Sequence, residues 1–501
     1  MGPLSADPAI LCDTICALLW PMNISLNRVF AVYVFLLSFF FASRPISDPD
    51  FWFHLRVGQF IVQHALVPRV EIFSCTNFGQ PYIAHGWLSG VIFYLVYSHF
   101  GQDLLIFIFA VLTALAFWII FKRSSEHIFT RGISVLLGVW TVLPNIGVRP
   151  RVFTLLLVTC YFRILSRYLT DSDSKRLWWL VPLMVVWVNL HGAFLIGLTF
   201  IALAMAGIAI DMWTGQGQSG VVWTRVKPLI MIFVACALAA LINPYGTRIY
   251  TQVFSVLTSP IYQYVGADWL SPDFHQPELL PLIVLILLTT TVLVLSPNRV
   301  RPSQLLFFLA TLYMTFRMQR NAIVFAVVAT SLLADYSGAL WDSLFTPTSR
   351  KSTSFTGLRP PLLNLLLLLP LLLFVVKVKK VVYVPPTQQM AVVPLNAVQY
   401  LKDNGIQGCT FTEPNIWADY LIWATPANPV YIDGRDVYPT QFVKEYVEII
   451  QGERDWRVAF DHYGVKNAIL THSSILASQL RNSAEWQQIY QDEYSLVFTR
   501  R

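Results

Sequence analysis

Charge is scarce in this sequence. Of 501 residues only 13% are Asp, Glu, Lys or Arg, where a soluble globular protein carries about 25%. That excludes an ordinary soluble enzyme. It also excludes a disordered chain, which needs low hydrophobicity and high charge. Carboxylates are the scarcest charge, with 15 of the 28 spread over residues 1–390. The six cysteines, Cys12, Cys16, Cys75, Cys160, Cys236 and Cys409, contain no pair at metal-finger spacing. Cys160 and Cys236 lie in apolar runs and read as small hydrophobes, while Cys12 and Cys16 stand one helical turn apart near the N-terminus. A Gly-rich phosphate loop, a nucleophile elbow and a zinc-protease signature are all missing, which argues against nucleotide and serine hydrolysis. The basic residues are scattered over loops, not gathered in a patch, so nucleic acid is not an expected partner.

Apolar residues are plentiful: 55% of the chain is hydrophobic and mean hydropathy is +0.57. A helix needs about 20 apolar residues to cross a bilayer. Candidate spans are 28–43, 103–121, 132–146, 152–169, 177–189, 192–213, 228–243, 279–296, 304–318, 320–338 and 361–380. The first follows Arg28 without a small-residue cleavage site and reads as an anchor, not a cleaved signal. The expected fold is a polytopic α-helical membrane protein of about 11 spans, within a range of 10–13. The run 84–99 is ambiguous: a re-entrant or half-depth helix, or the first part of a long broken one. Basic clusters at Lys122/Arg123/Arg131, Arg163/Arg167/Lys175/Arg176, Arg225/Lys227, Arg299/Arg301 and Arg350/Lys351/Arg359 are each two crossings apart. The positive-inside rule puts them in the cytoplasm, with residues 1–27, and puts the first loop, 44–102, outside. Lys377, Lys379 and Lys380 break the rule and are outvoted.

Polar side chains then collect at the outer face, where unusual groups in a membrane chain mark a site. The first outer loop opens Ser47-Asp48-Pro49-Asp50-Phe51-Trp52-Phe53-His54. Asp48 suits a helix cap with Pro49 in the first turn. Phe53, Val57, Phe60 and Ile61 follow at helical spacing, predicting a helix that lies in the interface. A second acid, Asp50, gains nothing as a second cap. Two carboxylates beside His54 suit a general base or a divalent cation, Mg or Mn, held by Asp48 and Asp50. His85, ahead of Trp87, reads either as a substrate-orienting group or as an interfacial residue. Arg149 and Arg151 flank Pro150 in a short turn, His191-Gly192 separates two apolar runs, and Arg320-Asn321 interrupts another pair, with Arg317 a turn earlier. Taken singly each Arg reads as snorkelling to headgroups. Together, opposite a carboxylate pair, they read as a phosphate site with a base beside it.

From about residue 385 the chain changes character, and residues 391–501 carry a net charge of −4 against +11 for the rest. Apolar runs at 409–412, 429–433, 467–471 and 494–499 predict strands. Patterns at 395–403, 416–424, 441–452, 456–463 and 473–481 predict helices, together a small α/β domain over 385–501 outside the membrane. Asp433-Gly434-Arg435-Asp436 reads as a turn with an internal Asp–Arg pair, or as a ligand loop at a sheet edge. Trp417, Trp423, Trp456 and Trp486 suit sugar stacking or core packing equally.

These stretches, 48–58 with His85-Gly86-Trp87, Arg149-Pro150-Arg151, 189–192 and 432–435, resemble sequences of the GT-C superfamily of membrane glycosyltransferases, in particular bacterial relatives of protein O-mannosyltransferases and lipid A aminoarabinose transferases. The resemblance implies a transmembrane GT-C-like body over 28–384. It implies an enzyme that moves a sugar from a polyprenyl-phosphate donor to an acceptor at the outer face of the plasma (inner) membrane, with inversion at the anomeric carbon. By position, Asp48 and Asp50 match that family's catalytic or metal-contacting acid. The residues themselves suggest that His54, His85, Arg149, Arg151, His191 and Arg320 bind substrate, the arginines and His191 at the donor's phosphate. Pro49 between the acids departs from the family pattern and leaves open which of them is the base. The competing readings are a transporter or flippase of a lipid-linked or anionic substrate, and a non-catalytic scaffold.

Overall fold

The computed structural model describes residues 26–122, 127–215, 222–259, 267–345 and 393–501. The candidate span 361–380, the cysteine pair near the N-terminus and the basic cluster at 350–359 lie outside the described residues. The membrane portion consists of helices α1 (Leu26–Ala42), α2 (Asp50–His64), α3 (Trp87–Phe121), α4 (Ile128–Val142), α5 (Arg151–Asp171), α6 (Leu180–Leu190), α7 (Leu195–Trp213), α8 (Val222–Ala239), α9 (Arg248–Thr258), α10 (Leu280–Leu295), α11 (Pro302–Arg317) and α12 (Ala322–Phe345). Among the described residues, seven helical segments are long and apolar enough to cross a membrane, and α1 is a shorter apolar helix. The chain is a polytopic, mostly helical membrane protein with a small C-terminal sheet.

The ambiguous run 84–99 is the first part of a long broken helix. α3 has 35 residues, and Gly101 sits inside it at φ 78°, ψ −174°, a conformation that only glycine adopts without strain. At 1.5 Å per residue an unbroken α3 would measure roughly 50 Å, well beyond the ~30 Å apolar core of a bilayer. The break lets residues before Gly101 pack along α2 while those after it join the bundle.

The interfacial reading of α2 needs correction. Phe51, Phe53, Leu55, Val57, Gly58 and Ile61 are all buried, and α2 lies on α3, not with an apolar stripe on lipid. Gly58 and Gly90 cross so closely that a Cβ on Gly58 would stand 1.9 Å from the Gly90 carbonyl oxygen. Small residues at a crossing permit this approach.

The C-terminal portion holds α13 (Leu395–Asp403), β1 (Cys409–Thr412), α14 (Trp417–Ala424), α15 (Thr440–Ile450), α16 (Trp456–Tyr463), β2 (Val465–Thr471), α17 (Ile475–Arg481), β3 (Trp486–Gln491) and β4 (Ser495–Arg500). The sheet order is β1-β2-β4-β3, with β1 parallel to β2 and the other pairs antiparallel. Successive side chains on a strand face opposite ways. Ile469 and Val497 accordingly join the hydrophobic cluster that continues into the membrane helices, while Ala468, Leu470, Leu496 and Phe498 join a separate cluster with Phe411, Tyr431, Phe460, Trp456 and Trp486. Segment 429–433 is not a strand. Val430 makes isolated parallel bridges to Thr410 on one side and Ser74 on the other, so it ties the sheet edge to the first loop. Trp417, Trp456 and Trp486 are buried, and Trp423 packs against Tyr94 and Tyr97, which favours core packing over sugar stacking.

Candidate active site

A cavity of about 480 Å³ opens between the membrane helices and the C-terminal portion, and Asp48, Asp50, His54, His85, Arg149, Arg151, His191 and Arg320 all line it. Five separate stretches of chain bring them there: the start of α2, the turn before α3, the turn into α5, the break after α6 and the break before α12. Loop 433–436 forms the opposite wall, together with Asp268 and Trp269.

The two acids have unequal partners. Asp48 accepts the Asp50 N–H on Oδ1 at 3.3 Å and holds Arg149 Nε on Oδ2 at 2.7 Å. Asp48 thus caps the first turn of α2, where Pro49 is already helical at φ −62°, ψ −33°, and its other oxygen grips a guanidinium. Asp50 has no ion-pair partner among the described residues. Its carboxyl is pushed up to about 8, first by burial and then by the neighbouring Asp48, against the pull of Arg149 and Arg151. A carboxyl with an affinity for protons near neutrality is suited to take one from a hydroxyl.

Of the cations, Arg149 is engaged with Asp48, and Arg151 pairs with Asp268 from the segment between α9 and α10. Burial pushes the Asp268 carboxyl up, yet Arg151 and Arg320 outweigh it and hold Asp268 below its usual range. Arg320 stacks on the Trp269 ring at 3.8 Å and forms no ion pair with a carboxylate among the described residues. Its N–H donors therefore remain largely free for an anion. Three imidazoles complete the floor. Gly86 lets His54 close in, a Cβ there lying 3.3 Å from its Cε1, and Gly192 does the same for His85 at 3.1 Å from Cδ2. Burial, helped by the neighbouring His85, drives the His54 imidazole down to about 3, and burial also lowers His85. Both are neutral at pH 7 and offer one donor and one acceptor. His191 Nδ1 is hydrogen-bonded to Thr154 Oγ1 at 2.9 Å, and Trp187 Nε1 donates to the same hydroxyl. Asn189 is structural: it accepts from Trp87 Nε1 and donates to the Val185 and Ile242 carbonyls, each at 2.8 Å. An apolar groove of about 490 Å³ lined by Trp87, Leu88, Val185, Val186, Leu241 and Ile242 adjoins the cavity through Trp87.

Set against known structures, the chain is similar to the archaeal oligosaccharyltransferase AglB from Archaeoglobus fulgidus, solved with an inhibitory peptide and a dolichol-phosphate, at TM-score 0.56 and 12% identity over 88% of this chain and 69% of that one. It is similar as well to ArnT from Cupriavidus metallidurans, solved in the apo state, at TM-score 0.51 and 12% identity over 94% of this chain and 97% of that one. Both are GT-C glycosyltransferases. The chain has the GT-C fold. No protein-family model and no curated protein matches it.

On this GT-C scaffold the expectation of a cation between Asp48 and Asp50 does not fit the residues. A divalent ion wants several open oxygen ligands, and each Asp48 oxygen already accepts one donor, an N–H on Oδ1 and a guanidinium on Oδ2. Among the described residues no group of three His, Cys, Asp or Glu side chains is placed to hold a metal.

Several functional positions escaped the sequence reading. Glu71 is fully buried and accepts the Phe73 and Ser74 N–H groups and both terminal nitrogens of Arg435. Arg435 also grips Asp433 through Nε and Nη2, so the internal Asp–Arg pair exists and reaches into the first loop. Asp268 is a lone acid in a long loop. Asp419 is a lone acid in the apolar helix α14, and that isolation was its only signal. Cys75 and Cys409 form a disulfide across 334 residues, a pairing that spacing does not reveal.

Proposed function

We propose that this protein is an integral membrane glycosyltransferase that moves a sugar from a polyprenyl-phosphate donor to an acceptor hydroxyl. The observation that carries this reading is the meeting, in one cavity beside an apolar groove, of a carboxyl without a cation, Asp50, and a guanidinium without a carboxylate, Arg320. The donor's isoprenoid tail lies in the groove and its phosphate beside Arg320, with Arg151 and His191 adjacent. Asp50 takes the proton of the acceptor hydroxyl. The freed oxygen attacks the anomeric carbon as the bond from that carbon to the phosphate oxygen breaks, inverting the centre. The bonding pair departs with the phosphate, whose added charge Arg320 stabilises. His54 and His85, both neutral, orient sugar hydroxyls. Lipid-linked substrates are compatible with AglB, which was solved with dolichol-phosphate and a peptide.

The cavity side faces out of the cytoplasm in this reading, with residues 1–27 inside, a body of about 11 crossings over 28–384 and the unit 385–501 outside. The Cys75–Cys409 disulfide supports that orientation, because such bonds persist in oxidising compartments. Deleting the gene and weighing extracted lipids by mass spectrometry tests the proposal. A polyprenyl-phosphate sugar should accumulate, and disappear when the wild-type chain is restored but not when Asp50→Asn is. An unchanged lipid pool, or full complementation by Asp50→Asn, overturns it.

A further inference from the structure

Asp419 has no role in the scheme so far, and its surroundings are unusual. It is completely buried. Its Oδ1 accepts the Gly434 N–H at 3.0 Å, while its Oδ2 has no hydrogen-bond partner. Gly434 shows what lies beside that oxygen: a Cβ there would stand 2.7 Å from Asp419 Oδ2 and 3.2 Å from Asp50 Oδ1. The two carboxyls therefore border the same notch, one from the C-terminal portion and one from the first loop. Tyr420 on Trp52, ring centres 4.9 Å apart, keeps α14 against α2.

An ionised carboxylate buried without a cation is costly. Neither acid has an ion-pair partner among the described residues, and the guanidinium that bears on Asp419, Arg435, is taken by Asp433 and Glu71. A neutral carboxylic acid reverses the problem, because protonation turns an oxygen that lacks a donor into a donor itself. The acceptor beside it is Asp50.

We propose that Asp419 is a positioning residue for Asp50: a neutral carboxylic acid whose Oδ2 hydrogen is given to Asp50 Oδ1, fixing that carboxylate and leaving its second oxygen to the cavity. The inference deepens the transferase reading and rests on Asp50 as its base. The charged groups bearing on the pair are Asp48, Arg149, Arg151, Arg320 and Asp436 around Asp50, and Asp433 and Arg435 around Asp419. Burial first, then Asp433 and Asp50, raises the Asp419 carboxyl well above its usual range, in agreement with a retained proton.

Dicyclohexylcarbodiimide, which modifies protonated carboxyls in apolar surroundings, tests this without any substrate. The full chain, purified in detergent, is labelled across about pH 6 to 10, digested, and the label on the Asp50 peptide is quantified by mass spectrometry. Asp419→Leu removes the donor and should move the Asp50 midpoint up by about one to two pH units. Asp419→Asn restores an N–H donor in the same place and should stay within about half a unit of wild type. Were Asp419 an ionised neighbour, Asp419→Asn would relieve repulsion and move the midpoint down. A downward shift in Asp419→Asn, or no shift in Asp419→Leu, overturns the proposal. If Asp419→Leu fails to form the Cys75–Cys409 disulfide, and so fails to fold, the direction seen in Asp419→Asn decides alone. The base assignment is tested separately: glycosyl transfer surviving in Asp50→Asn sinks that assignment and leaves the labelling result standing.

Discussion

Asp48 and Asp50 are two residues apart and carry unequal burdens because only Asp48 is in ion-pair contact with a guanidinium. The consequence is a pH dependence with a definite sign. Asp50 is held near 8 by burial and by Asp48. A base must be ionised, so turnover should rise with pH, losing about tenfold per unit below that value and levelling above it. In Asp48→Asn the like charge is gone and Arg149 is released, so this acid limb should move toward lower pH. Transfer rates measured against pH check it, and a limb that stays in place removes Asp48 from the explanation. Arg320 invites a second test. Stacked on Trp269 and free of carboxylates, it should cost about 10²–10³-fold in rate when replaced by Met, the range seen on removing one transition-state donor. Steady-state kinetics with the accumulated lipid as donor measure this. Eight cavity residues were legible in the sequence because acids and guanidiniums are conspicuous in an apolar chain. Their pairing was not. Arg151 meets Asp268 from 117 positions away, and no spacing rule announces such a partner.

At the level of elements, hydrophobic runs placed most membrane helices within a few residues, since an apolar run that long has few alternatives in a bilayer. What escaped were places decided by tertiary contact. The 486–491 strand is not among the apolar runs, yet it pairs with β4 at every residue but Ile489. Segment 429–433 is apolar enough to read as a strand, yet the first loop takes its other edge. The crossing of α2 on α3 is such a contact and makes a prediction. With a Cβ only 1.9 Å from Gly90 O, Gly58→Ala must push α2 away from α3, and backbone on both sides leaves nowhere to relax. Overpacking typically costs about 1–3 kcal/mol, and the displaced helix carries Asp50. The variant should therefore lose thermal stability and transfer rate together. Dye-monitored unfolding of the purified protein measures the first, and a midpoint equal to wild type would show that the crossing is looser than described.

Across the whole molecule, the C-terminal portion is a wall of the cavity, not an appendage. It supplies loop 433–436 to the lining and, beyond the backbone bridge of Val430 to Ser74, is fastened to the first loop by Cys75–Cys409 and by the buried Glu71–Arg435–Asp433 triad, all three side chains at most 1% exposed. The two fastenings should fail differently. Removing a disulfide commonly costs about 2–5 kcal/mol, chiefly by freeing the unfolded chain, and leaves no charge unmatched. Removing Arg435 leaves two carboxylates buried, a loss of about 3–5 kcal/mol. It also unhitches loop 433–436, with the Gly434 N–H that donates to Asp419 Oδ1, from its place beside Asp50. Cys75→Ser with Cys409→Ser should therefore lower stability while keeping most activity at moderate temperature. Arg435→Met should abolish transfer and expose the C-terminal unit to protease at the same temperature. Because the penalty arises from stranded charge, adding Glu71→Gln and Asp433→Asn to Arg435→Met should restore part of the protease resistance. Limited proteolysis of the single, double and triple variants in native membranes decides the matter: if the triple variant is no more resistant than Arg435→Met alone, the triad fastens the molecule through shape and hydrogen bonding, not through balanced charge.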